Sequence, residues 1–411
     1  MSDLTVSVIV VSRGRAEALK RCLTGISQLQ YPSYEVVVVA DPAGMQAAQT
    51  TDFAQHLKLL PFDQANISAA RNLGLTHAAG EIVAFIDDDA VPEPQWLHHL
   101  VAPAIRPEVA AMGGYVRGRN GISFQWRARS LDRLGEPHDL DLNPRQPTVL
   151  TPPKGKAIKT EGTNMAFRRE TLIALEGFDP AFHYFLDETD LNMRLARAGH
   201  ATAIVPLAEV HHGFAANMLR ASNRVPTDLF DIGASWAVFQ RKHVDQSERA
   251  VQWQRLRCAE RQRLLRHMVT GLLEPGRVRH LMRRLDKGYA EGNDRVLGQG
   301  RLAAHPATAF MPFPSMPRPP VVLVSRPWRL QRDRQMATES VRNGKIVTIF
   351  CLSLTSRFHK LTFEPEGFWL QRGGLYGKSE RQMRWFSPFS RTTRVKKERI
   401  RVASQRGLRE E

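Results

Sequence analysis

Three short runs, residues 6–11, 35–40 and 82–86, are β-branched and nearly free of polar side chains. Apolar runs of that length bounded by turn residues read as strands buried on both faces, which is a property of parallel sheets. Between them lie segments with helical spacing. Leu19, Leu23, Ile26 and Leu29 share one face of a helix over residues 16–29, and further helices are expected over 45–55 and 68–79, with a short strand at 57–60. This β-α-β alternation commits the chain to an α/β fold with a mostly parallel sheet. The strands end at Ser12, Asp41 and Asp87. Ligands of such sheets bind outside the carboxyl ends of the strands, so these three residues are the first candidates for a site.

The third strand runs directly into Asp87-Asp88-Asp89. Three like charges at a sheet edge repel unless a cation joins them, and hard oxygen ligands suit Mg²⁺ or Mn²⁺, either of which bridges the oxygens of a diphosphate. Reading the cluster as a mere charged turn is disfavoured by the lack of any interleaved basic residue. A second cluster, Asp187-Glu188-Thr189-Asp190, opens a helix expected over 187–198 that stops at Gly199. Acids are common at helix starts, so plain N-capping by Asp187 competes with chemistry there, although the two are compatible.

Order along the chain loosens after Pro92. A helix over 96–104 and a strand over 110–116 are followed by polar loops with at most one helix from 117 to 159, then strands at 163–168 and 203–205. Residues 228–290 are rich in Arg, Leu and Gln at helical spacing and should form two or three basic amphipathic helices. Seven prolines from Pro306 to Pro327 read as a stiff linker, strand-like runs at 321–324 and 346–350 as a small module, and the last twenty residues as a disordered basic tail. The expected divisions are a catalytic domain over 1–220, a basic helical extension over 221–304, a linker over 305–327 and a C-terminal module over 328–411.

Charge follows the same division. Residues 1–210 hold 20 Lys+Arg and 24 Asp+Glu, and the remainder holds 38 and 17, so the net +17 of the chain arises entirely in the second half. Such a surface suits anionic headgroups, an acidic glycan or nucleic acid, with plain solubility as the bland alternative. The three cysteines, Cys22, Cys258 and Cys351, lie far apart and form neither a CxxC pair nor a disulfide framework. No run approaches the 18 or so apolar residues of a membrane span, and Met1-Ser2-Asp3 opens no signal peptide, so the expected location is cytoplasmic, with peripheral contact at the inner face of the membrane.

The landmarks stand in the order of a known family. Val6 to Val10, Glu35 to Asp41, Asn66 to Gly74, Phe85-Ile86-Asp87-Asp88-Asp89, Gly162 to Arg168, Gly177-Phe178-Asp179, Asp187 to Arg194 and His211-His212 together resemble the inverting glycosyltransferases of family 2, over residues 5–220. The resemblance implies the GT-A fold, a nucleotide-diphosphate sugar donor such as a UDP-sugar, a divalent cation, and a saccharide or lipid-linked saccharide acceptor in envelope or exported polysaccharide synthesis. It implies that Ser12, Asp41, Arg71, Asp87 and Asp88 meet the donor, Asp41 at its base. Asp87, Asp89 and His211 would ligate the metal. Glu188, beside Asp187, would take the proton from the acceptor hydroxyl. Adjacent helical residues point about 100° apart, so only one of Asp187 and Glu188 is expected to face the sugar. Bland readings remain beside these: Arg71 as a surface ion-pair residue, His211 and His212 as loop histidines, and Trp96, Trp126 and Trp236 as core rather than sugar platforms.

Two rivals are weighed. A sugar-phosphate nucleotidyltransferase shares the sheet and the acids but wants a Gly-rich basic loop after the first strand, where Ser12-Arg13-Gly14-Arg15 has one glycine. A catalytically dead transferase domain serving as a scaffold or nucleic-acid binder fits the basic half. Aromatics interleaved with Arg are sparse there, which argues against nucleic acid as the partner.

Overall fold

In the computed structural model, which describes residues 4–213, 221, 223–298 and 300–408, the expected alternation forms a twisted sheet between two helical layers. Met1–Asp3 and the expected boundary at residue 220 fall outside the described residues. The first half contains β1 (Val6–Ser12), α1 (Ala16–Ile26), β2 (Tyr34–Ala40), α2 (Pro42–Gln49), β3 (Leu57–Pro61), α3 (Ile67–His77), β4 (Ile82–Asp87), β5 (Ala90–Pro92), α4 (Trp96–Val101) and β6 (Val109–Arg117). Five short strands follow where loops are expected: β7 (Phe124–Trp126), β8 (Arg129–Leu131), β9 (Pro137–Asp139), β10 (Thr148–Leu150) and β11 (Ala157–Lys159). Next come β12 (Met165–Arg168), α5 (Arg169–Ala174), α6 (Asp187–Arg197) and β13 (Ala201–His212).

The main sheet runs β10-β13-β6-β12-β4-β1-β2-β3, with β5 paired to β13 and β7 to β6. β3, β2, β1 and β4 are mutually parallel, β12 is antiparallel to both its neighbours, and β13 is parallel to β6. Every residue of β2 is buried and β1 is buried at six of seven positions, as expected for strands covered on both faces. One core lies under α1 and α4, with Leu19, Leu23, Trp96 and Leu100; the other lies under α3 and α6, with Leu75, Phe85, Phe167 and Leu191.

The basic segment folds as three helices, α7 (Phe230–His243), α8 (Gln246–Val269) and α9 (Pro275–Gly292). α7 and α9 touch backbone to backbone, since a Cβ on Gly288 would stand 1.9 Å from the Phe230 carbonyl oxygen. Trp236 and Phe239 share a core with Leu186 and Met193, so this extension packs on α6. The proline-rich segment is strapped to the first domain: Phe313 stacks on Tyr34 at 5.2 Å, and the Met311 amide donates to Glu35.

The C-terminal module is a sheet ordered β14-β15-β17-β16, from β14 (Pro320–Ser325), β15 (Ile346–Ser353), β16 (Lys360–Phe363) and β17 (Trp369–Gly374), with α10 (Leu330–Arg342) crossing between β14 and β15. It starts at Pro320 rather than 328, because β14 pairs with β15 along its whole length. The expected disordered tail is also corrected. Residues 391–406 form α11 (Arg391–Arg406), capped by Ser390, with Arg394, Glu398 and Arg406 buried.

Candidate functional site

The strand ends converge as the parallel sheet requires. A cavity of about 470 Å³ is lined by Arg15, Asp87, Asp89 and His212 together with Lys159, Asp187 and Glu188. A second, of about 420 Å³, runs past Ser12, Gly14, Asp41 and Asp63, and shares Arg15, Ile67, Asp87, Tyr184 and Asp231 with the first. Asp87 stands where the two meet.

Asp87, Asp89 and His212 each bring one ligand atom within 4.8 Å of the others. His212 Nε2 lies 3.1 Å from Asp89 Oδ1, and its Nδ1 lies 3.0 Å from Gln125 Oε1. A neutral imidazole donating Nδ1–H to Gln125 would leave Nε2 and Asp89 Oδ1 to share a cation. Two carboxylates and one imidazole fit Mn²⁺ or Mg²⁺. His212 therefore replaces His211 as the third candidate ligand. His211 faces the opposite side of β13, where its Nε2 meets Glu93 Oε1 at 2.8 Å. The register slips between Val205 and Glu209, so counting alternate faces from Val205 gives no reliable assignment of the pair.

The remaining donor-side expectations resolve differently. Asp88 turns away from both cavities and is fully buried, accepting from Ser12 Oγ at 2.7 Å and pairing with Arg15 at 2.6 Å. Burial pushes its carboxyl up to about 7 against the pull of Arg15. Its role as a direct donor contact is corrected to one of holding Ser12 and Arg15. Asp41 lines the second cavity and caps α2: Gly44 N donates to one oxygen at 3.0 Å and Gly14 N to the other at 2.9 Å. Each oxygen keeps a second lone pair.

Arg71 is neither at the surface nor open to solvent. It is 4% exposed, pairs with Asp187, donates to Gly162 O at 3.0 Å and lies 3.5 Å from Asp87. It thus joins the end of β4 to the start of α6 through buried charge. Leu186, just before α6, adopts a left-handed φ of 68°, strained for a branched side chain, and the helix has no side-chain cap. Asp187 is the first helical residue rather than the cap.

Both acids of this pair line the cavity, against the expectation that only one would face it. Glu188 Oε1 accepts from Lys159 Nζ at 2.9 Å. Burial and the adjacent Glu188 push Asp187 above the usual carboxylate range, with Arg71 opposing. Burial acts on Glu188 in the same sense, but Lys159 overrides it and holds Glu188 below that range. The two carboxyls are thus pushed in opposite directions, and the Glu188 side chain is 16% exposed against 4% for Asp187.

Arg15 and Lys159 escaped the sequence reading. Arg15, 2.6 Å from Asp88 and 3.4 Å from Asp89, lines both cavities. Its signal was its place in the turn that follows the first strand, where the ligands of a parallel sheet bind. Of the tryptophans, Trp96 is core, Trp236 is buried but lines the cavity, and Trp126 stacks on His212 at 5.8 Å.

The model of a family described as "Glycosyltransferase like family 2" matches residues 4–225, more than half of the 411-residue chain. The chain belongs to this family of glycosyltransferases. The matched region contains the whole main sheet together with Asp41, Asp87, Asp89, Asp187 and Glu188. It is 27% identical over 219 residues to the pre-mycofactocin glycosyltransferase of Mycobacterium tuberculosis, a match covering 51% of this chain and 43% of the relative. With the glycosyltransferase AglE of Haloferax volcanii it shares 36% identity over 118 residues, 27% of this chain and 39% of the relative. The chain matches less than half the length of these curated relatives. Among solved structures, GalNAc-T7 with UDP, GalNAc and Mn²⁺ overlaps 58% of this chain and 48% of its own at 16% identity and a TM-score of 0.44.

Proposed function

We propose that this family 2 enzyme is a divalent-metal-dependent, inverting transferase that moves a sugar from a UDP-sugar to a hydroxyl of a saccharide or lipid-linked saccharide in envelope or exported polysaccharide synthesis, working in the cytoplasm at the membrane face. The observation that carries the reading is one cavity lined both by a cation-type donor set, Asp87, Asp89 and His212, and by the Glu188 carboxyl, which Lys159 holds below the usual range. Asp87, Asp89 and His212 would hold the ion, which when bound supplies charge neutralisation for a departing diphosphate. Arg15 lies beside the same acids and adds a fixed positive charge for that leaving group.

Glu188 accepts the proton of the acceptor hydroxyl. The hydroxyl oxygen attacks the anomeric carbon from the face opposite the leaving group, which inverts the configuration. In its pair with Lys159, Glu188 is a weak base, so Lys159 must yield as the acceptor enters. Asp187 is committed to Arg71 and fixes the start of α6. Asp41 lines the second cavity at the position proposed for the base of the donor.

Screening a panel of nucleotide sugars for hydrolysis with and without Mn²⁺ tests the reading. One UDP-sugar cleaved only with metal is the expected result, and metal-independent cleavage or cleavage of none contradicts it. UDP should bind with metal at least as tightly as UTP. A clear preference for UTP would favour a nucleotidyltransferase.

A further inference from the structure

We infer that the carboxyl end of the C-terminal sheet is a docking surface for a bilayer carrying anionic headgroups. The inference goes beyond the transferase reading and relocates the membrane contact away from the basic helices. The helical extension, residues 221–304, holds 16 Lys+Arg against 9 Asp+Glu, while residues 305–411 hold 21 against 8, and part of the helical charge is neutralised in place: Arg257 pairs with Asp286 at 2.7 Å, Arg263 with Glu260 at 2.6 Å and Arg284 with Asp228 at 2.6 Å. Their rings are internal as well, with Trp253 stacked on Tyr289 at 3.8 Å.

The module is built the other way. β14, β15 and β17 are parallel neighbours, so the segments leaving them emerge at one end. Hydrogen bonds bind those segments together: Tyr376 N donates to Thr355 O at 3.1 Å, Ser387 N to Tyr376 O at 3.1 Å, and Arg391 reaches Ser325 O at 3.3 Å and Leu352 O at 3.4 Å. On this end Trp328 is 68% exposed, Leu354 68%, Phe358 55%, Trp385 74% and Phe386 58%. Five large apolar side chains so exposed at one end of a small sheet need a partner.

The charge around them identifies that partner. Across residues 325–329, 353–358 and 376–391 the chain has seven Lys+Arg and one acid, Glu380. Among the described residues Arg326, Arg357, Lys378 and Arg384 make no ion pair, and two of these cations lie over the exposed rings: Lys378 Nζ is 5.6 Å from the Trp385 centroid and Arg326 Cζ 5.2 Å from that of Trp328. Amphipathic rings with unneutralised cations beside them match the two layers of a bilayer interface, rings at the glycerol level and cations among the phosphates. Flat apolar protein partners do not require this charge. Single-stranded nucleic acid could stack on the rings and is kept as an outcome of the test.

The test is co-sedimentation of the full chain with phosphatidylcholine vesicles with and without phosphatidylglycerol, at low and high salt. We expect salt-sensitive binding to the anionic vesicles only, with a blue shift in tryptophan emission that Trp328→Phe together with Trp385→Phe removes. The triple variant Trp328→Ala, Trp385→Ala, Phe386→Ala should weaken partitioning by about tenfold or more, and Arg381→Glu with Arg384→Glu should do the same. These side chains are exposed, and an unchanged melting curve verifies that the variants fold. Arg261→Glu with Arg266→Glu on α8 should change little. Loss of binding in the α8 variant alone, retention in the module variants, or tight binding of single-stranded RNA without vesicle binding would each overturn the inference.

Discussion

At the scale of single residues, the site turns on which of two neighbours faces which way. For the acids, Asp187 goes to Arg71 and Glu188 to Lys159. For the histidines, His212 goes to Asp89 and His211 to Glu93. His212→Ala should therefore weaken Mn²⁺ binding, measured by titration calorimetry, by about tenfold or more, as removing a ligand or its orienting partner does. His211→Ala should leave Mn²⁺ affinity near its original value and lower the melting temperature instead. Equal losses of metal affinity in the two variants would refute the assignment. Ser12, Asp41 and Asp87 were legible in the sequence because the end of a buried strand is a topological position. The choice between His211 and His212 was not, because facing in a strand depends on register, and the slip between Val205 and Glu209 is a tertiary event. The inward turn of Asp88 was hidden for a related reason: it depends on Ser12 and Arg15, 76 and 73 residues back in the chain.

At the scale of elements, β13 explains most of the difference between expectation and structure. Pro206 argues against a long strand, and only 203–205 was expected, yet β13 runs for 12 residues. It does so by folding an irregularity around the proline while Asn164 ties the segment down, its amide donating to Tyr115 O at 2.9 Å and Ala208 O at 2.8 Å. The closeness requires a glycine on β6, since a Cβ at Gly114 would lie 2.1 Å from the Ala208 carbonyl oxygen. Gly114→Ala should destabilise the protein by about 1–3 kcal/mol, read as a lower melting temperature, and should weaken Mn²⁺ binding because β13 also carries His212. A variant as stable as the parent would show that the strands can part freely. α11 was missed for a different reason. Its sequence is basic with little apolar periodicity, and what holds it is buried charge, Arg394 with Glu398 and Arg406 with Glu93. Arg394 and Glu398 pair within the helix, but Glu398 also accepts from Gln371 of β17 at 2.8 Å and Arg406 reaches Glu93 in the loop after β5, contacts that form only when those segments are in place. α1, α3 and α6, by contrast, lie within a few residues of the helices expected over 16–29, 68–79 and 187–198, while α2 ends six residues before its expected end and the short α5 was not expected.

At the scale of the whole molecule, buried ion pairs connect the parts. Arg406 forks onto Glu93 at 2.8 Å to each oxygen, joining the C-terminal module to the loop beside the candidate metal site. Asp190 accepts from His243 at 2.7 Å and pairs with Lys242 at 2.8 Å, joining α6 to α7. Arg406→Met would strand the buried Glu93 charge, at a cost of about 3–5 kcal/mol, and denaturant titration should show it. Burial alone would raise Glu93, Asp190 and Glu398, but Arg406, Arg194 and Arg401 respectively override it and hold all three below the ordinary range. Their folded values are lower than their unfolded ones. The stability they contribute is complete above the usual carboxylate range near 4 and is lost as pH falls below it. Denaturant midpoints should therefore be flat for these groups from pH 7 to about 5 and drop below about 4, and a midpoint that rises on acidification would contradict this. No helix among the described residues is long and apolar enough to cross a membrane.

The most direct test compares Glu188→Gln with Asp89→Asn for UDP binding in Mn²⁺ and for sugar transfer. Glu188→Gln should bind UDP and Mn²⁺ within about twofold of the parent while transfer falls by about 10²–10⁴, and Asp89→Asn should lose both. Transfer at the parental rate by the Glu188→Gln enzyme would contradict the assignment of the base on which the account rests.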